Sequence, residues 1–187
     1  MSYLKSGLVG DGNLPVRVTL AGDTVWSHRA QAMVCELLSQ VPRADLMGLD
    51  AVVILSTLPS PKPQLVLGRY IAAGGASGAR IELALDSIWR GGSLAMRILP
   101  QLRRLHMANA LYHELGHHHH HRFSHGVRRR EWERAAEVYK RKALANAFRH
   151  WRPVVIMLLP FVALFKTAAQ TYQAARRRVF GKTPNDR

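Results

Sequence analysis

The chain has 187 residues, of which 48% are apolar, and a single cysteine, Cys35. That is enough apolar material for a packed core, and it excludes both a disulfide framework and a zinc site built from several thiolates. The formal charge of +15 is concentrated in the second half: residues 94–187 carry 19 Lys/Arg against 5 Asp/Glu, whereas residues 1–93 carry 8 against 7. The C-terminal half is therefore expected to be drawn to phosphate-rich or anionic-lipid surfaces.

Residues 1–15 read as a loop without a signal-peptide pattern, and no run of 18 apolar residues occurs anywhere. Together with the lone cysteine this points to a cytoplasmic setting, peripheral to a membrane if in contact with one. Residues 16–20 alternate as a short strand. Asp23 or Thr24 then caps a helix to about Gln40, with Val25, Ala32, Val34, Leu37 and Leu38 as its apolar face. Residues 51–55 form a β-branched apolar run, a buried strand. Three prolines in 56–63 mark a loop, 65–73 reads as another strand, and 74–78 is a glycine-rich turn. Residues 80–85 alternate again, so a hairpin with the preceding strand is expected.

A helix starts near Ser93 or Pro100 and continues through Leu102, Leu105, Met107, Leu111, Tyr112 and Leu115. A loop over 123–126 leads to a second helix over 131–149, with Trp132, Ala135, Ala136, Tyr139, Ala143 and Ala147 near one side. Residues 153–165 are apolar but interrupted by Pro160, too short to span a bilayer. They suit either packing on a core or partner, or a membrane surface. Residues 167–178 read as a basic helix. The expected fold class is α+β, with a domain over 1–150 and an apolar, then basic, helical tail over 151–187.

The segment 111–121 carries the chemistry: it contains His113-Glu114-Leu115-Gly116-His117 and runs on through His118, His119, His120 and His121. On a helix, residues four apart share a face, so His113 and His117 can converge on one Zn²⁺. Glu114 then lies beside the ion's open position, able to take a proton from zinc-bound water and deliver it to a leaving amine. In a chain of this composition a chance match to that spacing is on the order of one or two per cent, so its helical context has to add weight. A third ligand is required. Glu133 and Glu137, four apart on the next helix, supply one candidate ligand and one acceptor for a ligand histidine's distal N–H. Glu131 is the competing ligand candidate.

The pair of motifs, His113-Glu114-x-x-His117 and Glu133-x-x-Ala136-Glu137, resembles the compact gluzincin branch of the zincin-like metallopeptidases. The resemblance covers roughly residues 50–145. It implies a small, mostly antiparallel sheet packed on the helix that carries the first motif. It assigns His113, His117 and Glu133 as zinc ligands, Glu114 as general base and Glu137 as the acid behind a ligand. It also makes residues 80–85 the edge strand that pairs with an extended peptide. Tyr139 is a candidate donor to the oxyanion, and His125 a candidate for positioning substrate.

The expected activity is zinc-dependent, endopeptidase-like hydrolysis of a protein or peptide substrate. Two alternatives belong to other classes. One is a non-catalytic protein whose histidine run stores or senses Zn²⁺ or Ni²⁺. The other is an adaptor with a structural metal, bound to nucleic acid or membrane through the basic clusters Arg128-Arg129-Arg130 and Arg176-Arg177-Arg178. No nucleic-acid-binding motif accompanies these clusters. Cys35 reads as a small buried hydrophobe.

Overall fold

The computed structural model describes residues 15–21, 25–58, 66–75, 77–90, 100–123 and 129–151. The chain divides into two compact units, Met1–Ala147 and Phe148–Arg187. Of the second, the described part is a single 3₁₀ turn, Arg149–Trp151. The apolar stretch 153–165, the basic stretch 167–178 and His125 lie outside the described residues.

The first unit is α+β. Its strands are β1 (Arg17–Ala21), β2 (Leu49–Leu55), β3 (Gly68–Ile71) and β4 (Ala79–Ala84), in the sheet order β1-β2-β4-β3. Alternation dictates which side chains go inward. Val18, Leu20, Val52, Ile54, Ile81 and Leu83 are buried, and in register they occupy one face. Each side chain of that size contributes about 1.5–3 kcal/mol when fully buried.

The sheet is mixed, not mostly antiparallel. β1 runs parallel to β2 and β2 parallel to β4; only β3 and β4 are antiparallel. The reason is connectivity. A 15-residue helix carries the chain from the end of β1 back to the start of β2, and a crossover of that kind returns a strand in the same direction. The turn between β3 and β4, closed by a Gly74–Ser77 bridge with Gly75 at φ +58°, gives the expected hairpin. β4 then inserts between β2 and β3. The edge strands are therefore β1 and β3 and not the 80–85 segment, whose Ile81 and Leu83 are fully buried.

The helices are α1 (Val25–Ser39), α2 (Arg43–Leu46), α3 (Leu85–Arg90), α4 (Pro100–Phe123) and α5 (Arg129–Ala147). α1 and α4 pack on the sheet, and α5 packs on α4. On α1 the buried positions are Ala30, Gln31, Val34, Leu37 and Leu38, while Ala32 is exposed. Gln31 is tolerated inside because its amide donates to the Val18 carbonyl at 2.9 Å. Cys35 is half-buried. Tyr112 ties α4 to α1: its ring is 1% exposed and its hydroxyl donates to the Leu37 carbonyl at 3.1 Å. Helix α3, unexpected from the alternation of 80–85, begins where β4 ends. No helix among the described residues is long and apolar enough to cross a membrane.

Candidate metal centre

Helix α4 advances about 100° per residue, so the histidine-rich segment is spread around its circumference. His113 and His117 fall on the face turned toward α5. Their rings meet edge to face with centroids 4.8 Å apart. Glu133, one turn into α5, completes the group: His113 Nε2 stands 3.5 Å and His117 Nε2 3.8 Å from Glu133 Oε2. One ligand atom from each of the three residues lies within 4.8 Å of the other two.

These separations discriminate between two arrangements. Both are longer than a charge-assisted hydrogen bond, about 2.7–2.9 Å. Two ligands at zinc-like bond lengths in a tetrahedral arrangement stand roughly 3.3 Å apart. The two distances to Glu133 are therefore closer to what a shared ion would require than to a direct hydrogen bond, and the three donors could hold a metal ion. Burial and the neighbouring His113 hold the His117 imidazole below its ordinary pKa, which favours the neutral form that can donate a lone pair. The His117 side chain is 14% exposed and that of Glu133 58%, so the group opens to solvent on the Glu133 side. The residues present fit a divalent ion of the zinc type, with two imidazoles and one carboxylate.

Glu114 sits beside this group yet is 8% exposed. Burial pushes its carboxyl up to about 7, with the Glu133 charge adding to the rise and a hydrogen bond from the Tyr70 backbone N–H opposing it. That donor comes from edge strand β3. Gly68, two residues earlier, lets the strand approach. A Cβ there would lie 2.9 Å from Glu114 Cγ and 3.2 Å from its Oε1. Neither residue is conspicuous in the sequence: a backbone donor leaves no side-chain signature, and a glycine in a short strand has many explanations.

The two motifs are coupled through a helix contact. A Cβ on Gly116 would meet the Ala136 Cα at 2.6 Å and its carbonyl oxygen at 2.8 Å. The helices therefore touch backbone to backbone at this point, and Ala136 is fully buried. Glu133 lies one turn before Ala136, so this close approach delivers its carboxylate to the histidines. The signal was present in the sequence as the glycine and alanine inside the two motifs.

The remaining histidines part company. His118 is 1% exposed, and its Nε2 lies 3.1 Å from the Met47 carbonyl, to which it must donate. His119 Nε2 lies 3.6 Å from Asp45 Oδ1. Arg122 Nη1 donates to the Ala44 carbonyl at 2.7 Å. These three fasten the last turns of α4 to the segment leading into β2. His120 and His121 stand edge-on to Trp132, and His121 also meets the Tyr70 ring.

Glu137 does not join the centre. Its carboxylate binds Lys140 Nζ at 2.6 Å and Arg141 Nε at 3.3 Å, which holds its pKa below the ordinary range. The buried His113 Nδ1 has no hydrogen-bond partner among the described residues. Tyr139 donates to Asp45 Oδ2 at 3.0 Å, and burial with that neighbouring charge drives its phenol far up. Its ring packs against His119, so its hydroxyl and ring are both engaged with the segment around Asp45 and with the C-terminal part of α4. Glu131 faces a separate cavity and does not belong to the three-residue group.

No family model, no curated protein and no solved structure matches this chain.

Proposed function

We propose that this protein is a zinc-dependent peptidase of the gluzincin kind, with Glu114 as its general base. The observation that carries the reading is the convergence of His113, His117 and Glu133 at separations suited to a shared ion, with a buried carboxyl beside them. When bound, Zn²⁺ supplies Lewis acidity, polarising a carbonyl and acidifying a water molecule. The chain's own part is orientation and proton transfer. The Tyr70 N–H fixes one side of the Glu114 carboxylate. A carboxyl poised near neutrality can take a proton from an attacking water and return it to a departing amine nitrogen. Edge strand β3 is the place where an extended substrate backbone can pair. The basic second half would bring anionic surfaces close without taking part in the chemistry.

A metal store is disfavoured by the commitment of His118 to Met47 and of His119 to Asp45, which removes half of the run His118 to His121 from a common cluster. The test combines metal analysis with hydrolysis of a mixed peptide library. One zinc per chain, lost in His117→Ala, with cleavage abolished in a Glu114→Gln protein that still holds zinc, supports the peptidase. Several metals per chain, no cleavage and no effect of Glu133→Ala would overturn it.

A further inference from the structure

Helices α4 and α5 touch along the Gly116–Ala136 contact, and the metal group occupies one side of that line. On the other side lies a cavity of about 640 Å³. Tyr112 and His119 of α4, the turn at Val41 and Pro42, and a continuous stripe of α5 form its walls. The stripe follows helical spacing through Ala135, Val138, Tyr139, Lys142 and Ala143. Val138 is 46% exposed, a large apolar side chain with half its surface uncovered.

The charges around the cavity are unequal in their commitments. Asp45 is occupied, accepting from Tyr139 at one oxygen and facing His119 at the other. Glu131 stands at one end. Arg134 and Lys142 also line the wall, and neither pairs with an acid among the described residues. Each lies one turn from Val138, on opposite sides of it, about 12 Å apart along the helix. Both side chains are long enough to reach over it. The result is an apolar trough lined by two cations, Arg134 and Lys142, and one acid, Glu131, none of them in an ion pair among the described residues.

We infer that this cavity binds an alkyl carboxylate, its chain lying against Val41, Pro42, Ala135, Val138 and Ala143 and its head held by Arg134 and Lys142. Size favours a small ligand. A stable protein partner needs about 800 Å² on each side, whereas pockets of about 300–1,000 Å³ are those that enclose molecules of a few tens of atoms. Charge favours an anionic head, because the two unpaired cations outnumber the one unpaired acid, Glu131. The site does not depend on the peptidase reading and shares no ligand residue with the metal group.

The test is calorimetric titration of the full chain with dodecanoate below its micellar concentration, with dodecanol as the neutral probe of equal length. We expect one dodecanoate per chain, bound at least tenfold more tightly than dodecanol. Arg134→Ala with Lys142→Ala should reduce dodecanoate to the dodecanol level. Ala135→Trp, which fills the trough, should abolish binding of both. Circular dichroism melts establish that each variant is folded, and Val138→Asn replaces Ala135→Trp should the latter not fold. No saturable binding, or binding that survives both sets of variants, would overturn the inference and assign any uptake to the basic surface elsewhere. Equal affinity for dodecanol would overturn the role of the two cations.

Discussion

Two pairs of histidines in one helix, adjoining in sequence, have opposite fates. His113 and His117 face α5 and meet Glu133. His118 and His119 point to the segment 45–47 and serve as hydrogen-bond and packing groups. Their intrinsic chemistry is identical. What separates them is about 100–200° of helical phase and the identity of the neighbouring element. A run of potential ligands is thus divided by the helix into a set that faces Glu133 and a set that fastens the helix end.

The largest expected effect would break that comparison at its centre. His117→Ala should weaken zinc binding at least about 100-fold in chelator competition, while His118→Ala should leave it within about twofold. His118→Ala should instead lower folding stability by about 2 kcal/mol in urea titration, because the Met47 carbonyl loses its buried donor. Equal effects of the two substitutions on zinc affinity would refute the division.

Gly116→Ala sharpens the same point without touching a ligand. The added methyl meets Ala136 backbone at 2.6 Å, so the helices must separate. A loss of about 2–3 kcal/mol in stability is expected, with zinc affinity falling about tenfold as Glu133 recedes. A variant that is destabilised but binds zinc normally would show that Glu133 does not rely on this contact.

Glu114 provides a pH signature in the metal-free protein. Its folded pKa of about 7 lies above its ordinary value of 4.5. The folded state therefore holds a proton that the unfolded chain has shed. Its stabilising contribution is complete below pH 4.5 and is lost as pH rises through 7. The difference in stability between wild type and Glu114→Gln should change by on the order of 2–3 kcal/mol across that window, in favour of the variant at high pH. A difference that stays flat with pH would mean that the carboxyl is hydrated in solution.

The smallest effect concerns Tyr139→Phe. Loss of the bond to Asp45 should cost about 1 kcal/mol by thermal melt and leave zinc affinity unchanged. A drop in hydrolysis with normal stability would return Tyr139 to the site.

Much of this architecture was legible in local patterns. Alternation located β1 and β4, a β-branched apolar run located β2, and helical spacing located α1, α4 and α5, because these signals depend on residues within a few positions of one another. The hairpin of β3 and β4 was readable from its glycine-rich turn. The parallel pairing of β2 with β4 was not, since alternation says which face is buried and nothing about which strand lies alongside. Helix α3 was missed because six residues carry less than two turns of periodicity.

The site divides in the same way. His113, Glu114 and His117 could be singled out because one helix sets their spacing, and Glu133 because a second helix repeats the device. Glu137 illustrates where that reasoning ends. Its position four residues after Glu133 was correct for a shared face, but Lys140 and Arg141 are nearer partners and claim the carboxylate. Helical periodicity and the spacing of candidate donors along each helix are written within single elements and follow from bond geometry alone. The backbone contact of Gly116 with Ala136, the donor from Tyr70 to Glu114 and the cavity behind α5 arise between elements distant in the chain. They exist only once packing has chosen which backbones approach and which side chains are left facing open space.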